Sequence, residues 1–124
     1  MKDNMVIEGR QPLYGSVRIS GAKNAGLVLI AASILAEGET VLDNVPRICD
    51  VEVMIQILNE MGVEAGWNAD GGLSVRPPVG DMNVKTPDDL AKKLRASNLF
   101  LGALLGRQGE AAVSMPGGCD IGSR

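Results

Sequence analysis

The stretch AKNAGLVLIAASILA, residues 22–36, constrains this chain more than any other. Leu27, Ile30, Ile34 and Leu35 recur at helical spacing, and the second half of the stretch is apolar almost all round. A helix with no polar face has to be covered, so its second half is expected inside a layered structure. A chain of 124 residues, 45% of them hydrophobic, can build such a core. Only Tyr14, Trp67 and Phe100 are aromatic, so the core has to be aliphatic.

Shorter patterned runs surround this helix. MVIEG and LYGSVRI read as two strands separated by Gln11-Pro12, and ETVLDNV alternates like a third before Pro46 breaks it. Asp50 is placed to cap a helix over 51–61, which Gly62 ends. VEAGW and GLSVRP form a hairpin around Asp70-Gly71-Gly72. Pro87 opens a further helix to about Arg107, with Gly109 past its end, and EAAVSM reads as a short strand. From Gly15 to Arg76 the order is strand, helix, strand, helix, strand, strand, and the helix and strand from Pro87 to Met115 look like part of a second unit. The fold class is therefore α/β (α+β).

Charge and composition exclude several functions. The net charge of −3, with no interleaving of aromatic and basic residues, does not suit a nucleic-acid binder. The charge is uneven: residues 92–124 hold five basic and two acidic residues, so the rest of the chain carries −6. A basic end on an acidic chain suits a small anion. With no histidine, histidine acid–base chemistry and histidine-ligated zinc are excluded within the chain. Cys49 and Cys119 have no metal-ligand spacing. No apolar run is long enough to span a bilayer, and the first residues lack a signal-peptide pattern. The simplest compartment is the cytosol.

Three places break local rules. In ISGAKNAG, Lys23 stands in the first helical turn, where the dipole favours anions, with Asn24 beside it. Free backbone N–H groups, an ammonium and an amide there make an anion site, or else Lys23 is a solvated surface lysine. In KKLRASNLFLGALLG, Leu90, Leu94, Leu101 and Leu105 form one helical stripe, and Arg95, Asn98 and Gly102 an adjoining one. Arg95 is either a snorkelling side chain or a bidentate donor to a carboxylate or phosphate. In VSMPGGCDIGSR, Cys119 follows Pro116, Gly117 and Gly118. It is either an inert buried thiol or a reactive one on a loop built to open and close, with Arg124 near enough to activate it. Cys49, ahead of an amphipathic helix, reads as inert.

In this order and spacing, GSVRISGAKNAGLVLIAASILAEG, LDNVP, LRAS and VSMPGGCDIGSR resemble the enolpyruvyl transferase family, on the branch that acts on UDP-N-acetylglucosamine. The resemblance implies an α/β prism of βαβαββ units, here one unit and part of a second. Residues 1–20 would be strands packed with the other domain, and 21–124 an incomplete first domain. It implies transfer of the enolpyruvyl group of phosphoenolpyruvate to the 3′-hydroxyl of UDP-N-acetylglucosamine, with release of phosphate. That is the first committed step of peptidoglycan synthesis in the bacterial cytoplasm. No cofactor or metal, nucleic acid or membrane is implied as a partner.

Residue by residue, Lys23 and Asn24 match the pair at the phosphoenolpyruvate and nucleotide-sugar site. Arg95 matches an arginine at the UDP-N-acetylglucosamine site. Cys119 matches the loop cysteine that donates a proton, can bind phosphoenolpyruvate covalently and is alkylated by fosfomycin. Arg124 matches an arginine on the ligands' anionic groups. Members are longer, so the expectation is a fragment inactive alone that lacks the C-terminal part as its structural partner. A rival expectation is a non-catalytic anion-binding or nucleotide-sugar module, or a thiol-reactive half-site.

Overall fold

The computed structural model describes residues 4–115. Cys119 and Arg124 therefore lie outside the described residues. Helix α1 spans Lys23–Ala32 and tightens into a 3₁₀ turn over Ser33–Leu35. Strand β1 is Thr40–Leu42, helix α2 Cys49–Glu60, and strands β2 and β3 are Glu64–Trp67 and Leu73–Arg76. Helix α3 is the short Asp88–Ala91, a 3₁₀ turn covers Arg95–Asn98, and α4 runs over Leu99–Gln108.

The strands form one antiparallel sheet in the order β1-β3-β2. Thr40 pairs with Val75, and Ala65 faces Val75 from the other side. Asn68 shapes the β2–β3 turn. Its Oδ1 accepts hydrogen bonds from the N–H groups of Asp70 and Gly72, at 3.1 and 2.8 Å, while Gly71 takes φ +86°. That left-handed value suits glycine. Gly62, also at φ +88°, turns the chain from α2 into β2. Asn59 then latches the two: its amide donates to the carbonyls of Ile55 and Ala65 and accepts from the Ala65 N–H.

One face of the sheet meets the helices. Leu73 and Val75 are fully buried, as are Met54, Ile57 and Leu58 of α2 and Ile30 of α1. Phe100 and Leu104 of α4 complete the same cluster. The core is aliphatic apart from Phe100, with Trp67 packed at its edge, as the composition requires. The outer face of β3 is polar: Ser74 and Arg76 bind Glu39, and Arg76 also pairs with Glu64 at 3.2 Å.

Several expectations need correction. No strand forms over residues 4–22. Met5, Val6, Ile7, Leu13, Tyr14, Val17 and Ile19 are each at least 79% exposed there. A strand exists through its ladder, and the described residues offer these segments none. The unit that forms is thus helix, strand, helix, strand, strand. The apolar helix is covered on one side: Ile30, Ala31 and Ile34 are buried, but Leu29 and Leu35 stay about half exposed.

The helix expected from Pro87 to Arg107 is broken. Leu94, between α3 and the 3₁₀ turn in sequence, takes extended backbone angles and buries its side chain in the core. The Ser97 hydroxyl, also buried, donates to the Ala91 carbonyl at 3.3 Å. The break resets the helical phase. Leu90 and Leu94 are buried, whereas Leu101 and Leu105 face outward, and Phe100, Ala103 and Leu104 take the inward positions. Gly109 ends α4 at φ +76°, as expected.

EAAVSM makes no strand, only a parallel bridge between Lys85 and Ala112. Asp50 does not cap α2. Ile48 holds that position without a side-chain bond, and Asp50 lies within the first turn.

Candidate functional site

An open groove of about 560 Å³ lies where α1, α2 and the broken α3 region meet. Lys23 and Asn24 enter it from the first turn of α1, and Asp50 from the first turn of α2. Lys92, Lys93 and Arg95 enter from the bend after α3. Leu27, Leu94 and Ala96 supply the apolar part of the wall. The bend centres on Leu94. The chain dips into the core at Leu94, and the charged residues on either side stay at the surface beside the groove.

The groove brings together Lys23, Asn24 and Arg95, which the sequence singles out separately. It does not include Asn98 or Gly102. Cys49, exposed at the first position of α2, is not part of its wall.

Three lining residues are not identifiable as such from the sequence. Lys92 and Lys93 register there only as bulk charge. Asp50 fits a cap by its position, yet its carboxylate pairs with the Lys23 ammonium. The available signal is a lysine opposing its helix dipole, which favours a counter-charge nearby.

Four cationic side chains face one carboxylate in the groove. Helices α1 and α2 also direct their positive ends toward it, through Lys23 and Asp50. Such a site attracts compact anions with phosphate or carboxylate groups. Among the described residues, no group of three or more His, Cys, Asp or Glu side chains is placed to hold a metal.

A polar clamp fixes the start of α3, the short element that carries the chain to Lys92. The Ser114 hydroxyl donates to the Asp88 carboxylate, and the Ser114 N–H donates to the buried Thr86 hydroxyl at 3.2 Å. The Ser114 bond, then the Lys85 ammonium at 3.7 Å, holds the Asp88 carboxyl below its ordinary pKa. The clamp places Ser114, just before the end of the described chain, against the base of α3.

A cationic groove on a mixed helix-and-sheet scaffold suits a small anion. The sequence model of the family described as EPSP synthase (3-phosphoshikimate 1-carboxyvinyltransferase) matches residues 7–124, and the chain belongs to this family.

Among curated relatives, the UDP-N-acetylglucosamine 1-carboxyvinyltransferase of Dichelobacter nodosus is 48% identical over 98% of this chain and 29% of its own length. The enzyme of that name from Myxococcus xanthus is 46% identical over the same shares. Among solved structures, the enolpyruvyl transferase NikO from Streptomyces tendae superposes with a TM-score of 0.68 at 29% identity. The match covers 80% of this chain and 23% of that one. The chain spans less than a third of the length of these relatives.

Proposed function

We propose that the groove is part of the active site of a carboxyvinyltransferase that uses phosphoenolpyruvate and UDP-N-acetylglucosamine. The observation that carries this reading is the meeting of Lys23, Asn24 and Arg95 at one cationic surface. Lys23 and Asn24 would hold the phosphate and carboxylate of phosphoenolpyruvate. Arg95, with its planar fork of donors, would hold an anionic group of the nucleotide sugar.

In the reaction, the sugar 3′-hydroxyl gives up its proton to a base as its oxygen bonds to C2 of phosphoenolpyruvate, while a proton adds to C3. Loss of phosphate and of a proton from C3 then regenerates the double bond in the product. A cationic groove stabilises the charge that moves onto the departing phosphate. Cys119 is assigned the proton donation and Arg124 a contact to the ligands' anionic groups, both on the family resemblance alone. In the same reading, residues 1–20 pack with a second domain, and residues 21–124 belong to the first. The reaction would serve cell-wall synthesis in the bacterial cytoplasm, with Cys119 as the fosfomycin-sensitive thiol. No described helix is long and apolar enough to cross a membrane.

Titration calorimetry with each substrate, followed by a phosphate-release assay with both, tests the proposal. Binding of phosphoenolpyruvate that is lost in Lys23→Ala supports the site. Binding of neither substrate overturns it. Binding without phosphate release favours the reading as an anion-binding half-site.

A further inference from the structure

The pairing of Lys23 with Asp50 joins the starts of two helices. Lys23 is the first residue of α1 and Asp50 the second of α2. The positive end of α1 disfavours an ammonium, while the positive end of α2 favours a carboxylate. Asp50 is therefore stable in its place, and it offsets the unfavourable position of Lys23. The two side chains are 53% and 31% exposed, so the pair contributes little to folding. Its consequence is geometric. A lysine side chain has four rotatable bonds, and a fixed carboxylate narrows the directions its ammonium can take. Asp50 is also the one carboxylate in a groove wall that holds four cations, so it can orient Lys23 without reversing the sign of the site.

We propose that Asp50 is a positioning residue, which holds the Lys23 ammonium over the groove where an anionic group of the ligand meets it. This rests on the reading of the groove as a phosphoenolpyruvate site. Asp50 acts through Lys23 and needs no contact with the ligand.

Competitive labelling with acetic anhydride, read by peptide mass spectrometry on the 124-residue chain, tests it. Lys85 is the internal reference, since its partner Asp88 is untouched by a change at Asp50. Asp50→Asn is expected to raise Lys23 labelling relative to Lys85 by roughly two- to fivefold, the range of a half-exposed ion pair. Asp50→Glu, which keeps the charge, restores most of the original ratio. Phosphoenolpyruvate should protect Lys23 in the unaltered chain and protect it less in Asp50→Asn at the same concentration.

An unchanged Lys23-to-Lys85 ratio in Asp50→Asn overturns the proposal, and so does protection that is undiminished there. A third outcome separates the two readings. If Asp50→Asn speeds labelling while phosphoenolpyruvate protects Lys23 in neither chain, the hold of Asp50 on Lys23 is supported and the phosphoenolpyruvate site fails.

Discussion

The guanidinium of Arg107 donates a hydrogen bond to the carbonyl of Ile34, 2.7 Å away and 73 residues distant in sequence. The same side chain also reaches the carbonyls of Ala36 and Pro78, each at 2.8 Å. Arg107 thus ties the last turn of α4 to the end of the α1 region and to the loop after β3. The carbonyls at that helix end lack helical donors, and a half-buried cation satisfies them.

Arg107→Ala is expected to destabilise the chain by about 2–4 kcal/mol, since charge-assisted bonds are lost and the carbonyls lose their partner. Arg107→Lys should recover only part of this, because an ammonium lacks the planar fork. Urea unfolding followed by the fluorescence of Trp67, the chain's single tryptophan, checks both. A stability for Arg107→Ala equal to that of the unaltered chain would show that the clasp does not form.

Gly21 stands against Asn44. Its N–H donates to the Asn44 carbonyl at 3.0 Å, and a Cβ at Gly21 would lie 2.1 Å from that oxygen. Backbone has to shift to admit any side chain there. Gly21→Ala is expected to cost about 1–3 kcal/mol, the range for forced overpacking. Because Gly21 leads directly into Lys23, the substitution should also weaken phosphoenolpyruvate binding. Calorimetry under folded conditions separates the two effects.

Acid sensitivity should track Glu39 and Asp88. The Ser74 hydroxyl and the Arg76 guanidinium lower the Glu39 pKa, and Ser114 and Lys85 lower that of Asp88. A carboxylate whose folded pKa lies below its unfolded value, about 4, binds its proton less tightly when folded. Its stabilising contribution is full above the unfolded pKa and is lost as pH falls through the folded one. Unfolding midpoints should therefore be flat near neutrality and decline below about pH 4. Ser114→Ala removes the largest cause at Asp88 and should make that decline shallower. Urea midpoints at a series of pH values give the slope directly.

Arg95→Ala is expected to weaken UDP-N-acetylglucosamine binding by about tenfold or more, the effect of removing a charge-assisted bidentate donor. Raising the salt concentration should weaken binding of both anionic ligands, since the groove is open and its charges are screened. Titrations at two ionic strengths with each variant provide the measurement. Salt-independent binding would point to contacts other than these cations.

The sequence by itself determined the local features. The turn at Asp70-Gly71-Gly72, the stops at Gly62 and Gly109 and the helices α1 and α2 depend on neighbours a few residues away. Backbone preference and helical periodicity are enough to find those. The family is legible as well, because LRAS and the lysine–asparagine pair keep their order and spacing in the chain.

Only the tertiary structure decided the rest. Alternation at Val17 and Ile19 predicts a strand, but pairing needs a partner, and the described residues give them none. Periodicity predicts one helix across Leu94, yet the chain breaks there and resets its phase, so that Leu90 and Leu94 before the break and Phe100 and Leu104 after it all reach one core. Asp50 fits a cap by its position in the sequence, but its carboxylate is drawn to an ammonium that folding brings to the start of the next helix in space. Lys23 and Arg95 share a groove because α1, α2 and the bend after α3 pack together around one aliphatic core. Short-range preferences specify elements; long-range packing and charge specify which of them meet.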